Sequence, residues 1–223
     1  MRGRRKAALA FKMTAPRTNV YIDGFNLYYG CLKDTPYRWL DLGKMCRLLL
    51  PKHAVNKIRY FTARVRPRDS DPQQLQRQLT YLRALRTIPN LSIHEGHFLC
   101  HPRMLPLVNP AGSNKFAEVL CTSEKGSDVN LATYLILDAL DKDCDVAAVV
   151  SNDSDLMLPI RQVQDRFKIP IGFVNPQKSS PKSQQLSSAC SFYKEVRAGL
   201  LQACQFPPAM TDANGTITKP SVW

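Results

Sequence analysis

Two short apolar runs that break abruptly into acid constrain this chain more than any other feature. Val20-Tyr21-Ile22 runs into Asp23-Gly24-Phe25-Asn26, and Val146-Ala147-Ala148-Val149-Val150 runs into Ser151-Asn152-Asp153-Ser154-Asp155. An uninterrupted apolar run of about five residues bounded by polar ones is the pattern of a strand buried on both faces. Helical spacing follows each run. Strands alternating with helices imply a parallel sheet with right-handed crossovers and helices on both sides. Acids at the carboxyl ends of such strands fall where open α/β folds place their ligands.

The alternation continues along the chain. Asn19–Asp23 is the first predicted strand and Phe25–Leu32 starts a helix. Asp41–Leu50 has helical spacing through Leu42, Met45, Cys46 and Leu49 and stops at Pro51. Lys57–Ala63 is a second strand. Asp71-Pro72 then opens a helix, with Asp71 as N-cap and Leu75, Leu79, Leu82 and Leu85 on one face. Leu91–Glu95 is a third strand. Residues 96–118 contain Pro102, Pro106, Pro110 and Gly112, and they read as a long irregular loop with a short strand around Glu118–Cys121. Ser127–Leu140 is a helix, Val146–Ser151 a fourth strand, Ser154–Phe167 a helix and Ile169–Val174 a fifth strand. A Ser/Pro/Gln-rich stretch, 175–188, precedes a last helix or strand at Phe192–Gln202.

The expected fold is a three-layer α/β/α sandwich on a mostly parallel sheet of five or six strands. It occupies residues 19–200, between a basic, disordered N-terminal tail (1–18) and a C-terminal tail (201–223). The first and fourth strands are expected to be neighbours where the strand order reverses, so that their acids share one crevice.

Net charge sharpens the reading. The chain carries +13 from 31 Lys+Arg against 18 Asp+Glu, which favours a polyanionic partner, nucleic acid before anionic membrane. Carboxylates clustered in one crevice repel one another unless a cation offsets them. A hard divalent cation takes oxygen ligands, and Mg²⁺ keeps several waters beside one or two carboxylates. Asp23, Asp153 and Asp155 are the candidate ligands, and Asp128, at a helix start, could complete the site. Asn26 follows Asp23 by one helical turn and could hold a ligand or a phosphate. Asp and Ser are also preferred N-caps, so Ser127, Asp128, Asp153, Ser154 and Asp155 each have a capping alternative. Capping does not account for the whole set, because Asp23 lies on a different strand.

These residues resemble a known family. Ile22-Asp23-Gly24-Phe25-Asn26-Leu27, Glu124-Lys125-Gly126-Ser127-Asp128-Val129-Asn130-Leu131-Ala132 and Ser151-Asn152-Asp153-Ser154-Asp155-Leu156 resemble, in order, the motifs of NYN domains, within the PIN-like nucleases. The resemblance spans about residues 19–197. It implies a PIN-like fold and Mg²⁺- or Mn²⁺-dependent cleavage of RNA. The acidic catalytic and metal site it implies is Asp23, Asp128, Asp153 and Asp155, with Asn26 beside it and Lys125 and Ser151 as looser accessories. Two departures thin the outer acidic shell. Tyr134 stands where many relatives carry a further acid, and Ala189-Cys190-Ser191-Phe192 replaces a common Ala-Asp pair before an aromatic.

Other features are weighed beside this site. Arg64, Arg66 and Arg68 alternate just past the second strand, and their forked donors suit phosphate oxygens; a solvated loop is the plain alternative. Tyr28, Tyr29, Tyr37 and Trp39 could stack bases, although at least two of them are expected in the core. His94, His97, Cys100, His101 and Cys121 match no standard zinc spacing. Seven scattered cysteines without a CxxC suit reduced thiols. No apolar run is long enough for a membrane span, and the N-terminal apolar stretch is too short for a signal peptide. A cytoplasmic location is expected, with either Met1 or Met13 as the start. A homodimer is left open, since no exposed apolar stripe in the sequence argues for one.

The leading function is therefore a metal-dependent ribonuclease acting on single-stranded RNA. The alternatives are a non-catalytic RNA-binding or adaptor module on the same fold, and a small-molecule phosphohydrolase.

Overall fold

The structure, a computed structural model, describes residues 14–111, 114–177 and 188–223. Its elements run β1 (Arg17–Asp23), α1 (Gly24–Leu27) continued by a π-helical turn (Tyr28–Leu32), α2 (Leu42–Leu49), β2 (Ala54–Ala63), α3 (Gln74–Leu85), β3 (Leu91–Ala111), β4 (Asn114–Lys125) and α4 (Ser127–Leu140). Then follow β5 (Val146–Val150), a 3-10 turn (Ser154–Leu156) leading into α5 (Met157–Phe167), β6 (Ile171–Asn175), β7 (Phe192–Glu195), α6 (Ala198–Ala203), β8 (Ala209–Asp212) and β9 (Gly215–Thr218).

Seven strands form one sheet in the order β4-β3-β2-β1-β5-β6-β7, parallel throughout except for the β3–β4 pair. The order reverses between β1 and β5, as the two acidic runs require. Side chains alternate between two apolar layers, as the strand period dictates. Val20 and Ile22 pack with Leu42, Met45, Leu82 and Leu201 on one side. Tyr21 packs with Leu131, Leu135, Ile160 and Val163 of α4 and α5 on the other. The result is a three-layer α/β/α sandwich. Among the described residues no helix is long and apolar enough to cross a membrane.

Four local expectations change. Residues 96–118 are not an irregular loop: β3 and β4 pair antiparallel from His97↔Lys125 to Pro106↔Phe116. Beyond Gly96, β3 has lost β2 as a neighbour. Its Pro102 and Pro106 therefore interrupt no ladder on that side, which is where strands tolerate proline. The extra strand, together with β7, brings the count to seven.

Residues 201–223 are not a loose tail. Phe206 and Ile217 are buried in the core, β8 and β9 form a hairpin, and Arg83 of α3 grips Asp212 with two hydrogen bonds (2.8 and 2.5 Å). Trp39, fully buried, donates from Nε1 to the Pro207 carbonyl and packs against Phe206 and Trp223. At the other end, β1 already begins at Arg17, whose guanidinium pairs with Asp145. The tail expected before it lies, for residues 1–13, outside the described residues. Finally, Asp71 does not cap α3. It forms a bridge with Arg68 and an ion pair with Arg77, and the helix starts at Gln74.

Candidate active site

β1 and β5 end flush, with Ile22 opposite Val150, so Asp23 and Ser151 emerge side by side. Asp23 is buried (5 % exposed). Its Oδ1 accepts from the Asn26 backbone N–H (2.9 Å), capping α1, and its Oδ2 accepts from the Ser151 hydroxyl (3.0 Å). Ser151 Oγ in turn accepts from the Asp153 N–H (3.1 Å). Asn26 Oδ1 accepts from the Asn152 N–H (3.0 Å). Asn26 therefore ties the loop after β5 to the helix after β1, and its carbonyl oxygen is committed to that task. The polar residues of the first and third motifs form one interlocked turn.

The second motif closes the site from the far side of β1. Gly126 adopts φ 103°, a left-handed conformation favouring glycine, and it turns β4 into α4. The expected Ser/Asp cap of α4 is absent. Instead Glu124 Oε1 accepts from the Ser127 N–H (3.1 Å) and hydroxyl (2.8 Å), so the acid before the glycine does the capping. Gly96 on β3 makes room for this: a Cβ there would overlap Glu124 Oε1 and stand 2.5 Å from the Lys125 carbonyl oxygen.

A cleft of about 360 Å³ opens between these elements. It is lined by the acids Asp23, Glu124, Asp128 and Asp153, by Asn26, Ser127 and Gln177, and by the rings of Phe25, Tyr29 and Phe98. No Lys or Arg among the described residues lines it. Burial and like charge act together on these acids. Burial raises the Asp23 carboxyl, opposed by its bonds from Asn26 and Ser151, with Asp153 adding to the rise. Asp128 reaches solvent along its outer edge, but its carboxyl faces the crowded cleft. Loss of hydration, followed by the fields of Asp23, Asp153, Glu124 and Asp155, pushes it up to about 6.

Of the residues singled out in the sequence, Asp23, Asp128, Asp153 and Asn26 line the cleft, and Ser151 lies directly behind Asp23. Asp155 is exposed and outside the lining, its N–H donating to Asp153 Oδ1 (3.0 Å); it acts on the cleft only through its field. Lys125 is exposed and outside the lining. The three arginines do not converge on the acids. Arg64 pairs with Glu95 (2.6 Å) and Arg68 sits in its bridge with Asp71. Arg66 reaches nearest, to the carbonyl oxygen of Phe98 in the cleft wall (3.5 Å).

Glu124, Phe25, Phe98 and Gln177 were not foreseen. Glu124 could have been, since it opens the second motif; Phe98 and Gln177 arrive from distant segments that carry no local pattern. Of the four aromatics after the first strand, Trp39 is buried and Tyr28 and Tyr37 pack on the core, leaving Tyr29 at the cleft. His94 is half-buried against Phe61 and Tyr134. None of the seven cysteines is joined in a disulfide among the described residues.

The donor set is entirely hard oxygen, which suits Mg²⁺ or Mn²⁺ and no soft metal. Among the described residues no three His, Cys, Asp or Glu side chains converge tightly enough to chelate one ion directly. Any divalent ion taken up by these acids would have to keep its own water between itself and most of the carboxylates.

A seven-stranded, mostly parallel sheet between helical layers, with acids gathered at its switch point, is consistent with a PIN-like sandwich. The chain belongs to the NYN domain family of the PIN-like nuclease superfamily, matching it over residues 17–195. It is 30 % identical to 6-hydroxy-3-succinoylpyridine 3-monooxygenase of Pseudomonas putida, over 93 % of this chain and 75 % of that protein. Its fold matches the crystal structure of a protein of unknown function from Vibrio parahaemolyticus. That match has a TM-score of 0.54 and 18 % identity, and it covers 82 % of this chain and 94 % of the other.

Proposed function

We propose that this protein is a Mg²⁺- or Mn²⁺-dependent nuclease that hydrolyses single-stranded RNA in the cleft between β1, β5 and α4. One observation carries the reading: four carboxylates line a single cleft, with no basic side chain among its described walls, in a chain of net charge +13. Asp23, Asp153, Glu124 and Asp128 would hold the hydrated ion. Bound there, it would activate water and stabilise the charge that develops on the phosphate. The Asn26 and Ser151 bonds fix Asp23 and Asp153 in place, so that the carboxylates need little reorganisation. Tyr29 and Phe98 offer ring faces on which a nucleobase can stack, and Arg66 stands beside Phe98 to meet the backbone.

A second reading has one specific support. Phe25, Tyr29 and Phe98 wall a cleft the size of a small-ligand pocket, and the Pseudomonas relative is named for oxygenating a pyridine ring. On that reading the cleft would take a nitrogen heterocycle rather than a polymer.

The test is to incubate the purified chain with labelled single-stranded RNA in Mn²⁺, Mg²⁺ or EDTA, beside Asp153→Asn. Cleavage that needs the metal and is lost in the variant is the expected result. RNA that binds but stays intact in every metal sinks the nuclease reading and leaves an adaptor. Consumption of oxygen with a hydroxypyridine and a nicotinamide reductant, without RNA cleavage, selects the second reading.

A further inference from the structure

We infer that the β3–β4 ribbon is a self-association arm, whose occupant is the same ribbon on a second copy of this chain. The ladder to β2 ends at Gly96. From His97↔Lys125 to Pro106↔Phe116 the two strands pair only with each other, a stretch of roughly 30 Å at the usual rise per residue. A two-stranded ribbon standing in water is marginal at best.

This one is also apolar where it should be polar. On one face Phe98, Leu120, Met104 and Phe116 follow one another outward from the cleft, because the pairing register puts them on the same side. Leu120 is 71 % exposed, Met104 61 % and Phe116 56 %, while Val108 near the tip is 95 % exposed. By the same register Leu99, Leu105 and Val119 stand on the opposite face, so the ribbon is apolar on both sides, and a second ribbon laid along either face takes apolar side chains out of water.

Charge selects the occupant. Between His97 and Lys125 the ribbon carries Arg103, Lys115 and Lys125 against Glu118 and Glu124, a net +1, so nearly all of the +13 lies elsewhere. An RNA strand finds little counter-charge on the ribbon. Two copies of a chain this basic repel each other at most other surfaces, and the ribbon is where they can meet without that penalty. An apolar strip is complementary to its own copy, which is what a twofold interface requires. The stripe is invisible in the sequence, because its residues alternate along two strands and prolines interrupt the pattern. It is continuous with the cleft, since Phe98 and Glu124 at its base belong to both.

Sedimentation velocity of the full chain over a range of micromolar concentrations tests this. Wild type is expected as a dimer, and Met104→Lys/Leu120→Lys as a monomer with an unchanged far-ultraviolet circular dichroism spectrum. Leu158→Lys, on exposed α5, should leave the dimer intact. Should the double variant lose its cooperative melt, Phe116→Ser decides: a dimer weakened about tenfold or more supports the arm, and an unchanged dimer overturns it. Wild type that stays monomeric at every concentration also overturns it, and if such a monomer loses RNA binding in the double variant, the ribbon belongs to RNA.

Discussion

Arg59 of β2 reaches across the sheet to Asp138 of α4, and replacing it with methionine is the sharpest test of how the cleft is held. Asp138 is 3 % exposed. It accepts from Arg59 Nε and Nη2 (2.7 and 2.5 Å), from the Tyr21 hydroxyl (2.7 Å) and from Asn19 Nδ2 (3.3 Å). The pair ties β1, β2 and α4 together, and α4 carries Asp128 to the cleft at its other end. Arg59 also lies over the Tyr134 ring (4.5 Å). Arg59→Met keeps the stem and removes the charge, leaving a buried carboxylate with two neutral donors. Breaking a buried pair from one side costs about 3–5 kcal/mol. For a domain of this size that lowers the melting temperature by about 10 °C. Arg59→Met/Asp138→Leu should recover much of the loss, because no uncompensated charge remains, although the Tyr21 hydroxyl then goes unpaired. Thermal and urea unfolding measure both. A single variant that loses less than about 1 kcal/mol, or a double variant worse than the single by the full cost of a second lesion, would refute the reasoning.

Three further outcomes are expected. Gly96→Ala forces a methyl against Glu124 and the Lys125 carbonyl, and should cost about 1–3 kcal/mol by overpacking while abolishing any cleft activity; a melt matching wild type would contradict it. Asp128→Asn should stabilise the fold near neutral pH. The native carboxyl, raised from 3.8 to about 6, holds a proton that the unfolded chain releases, so wild-type stability falls as pH rises through that window. With solvent screening at the rim the gain is about 1 kcal/mol at pH 7.5 and nothing near pH 3, read from melting temperatures across pH. RNA binding, followed by fluorescence anisotropy, should weaken steeply with added salt if phosphate contacts dominate, and a flat response would contradict a basic binding surface.

Sequence reading and structure agree where the physics is local. A run of valines and alanines between polar residues has to be a buried strand, and the reversal of strand order puts Asp23 beside Ser151 whatever else the chain does. The same logic foresaw helix Ser127–Leu140 to the residue. It failed where a residue's role depends on a remote partner. Glu124 caps α4 only because Gly96 of β3 lets the turn come close. The final residues dock on Trp39 through Phe206 and Trp223, contacts with no period to betray them.

By itself, then, the sequence determined the layered α/β architecture, the family, and the three acidic motifs at strand and helix ends, because those follow from periodicity and turn chemistry. Tertiary structure alone decided which acids face one another. It left Asp155 at the rim and brought in Glu124, sent Arg64 to Glu95 and Arg68 into a backbone bridge with Asp71, and converted a proline-marked loop into a ribbon. Most of these turn on distances between segments far apart in the chain. Side-chain reach and burial set those distances, and no local pattern encodes them.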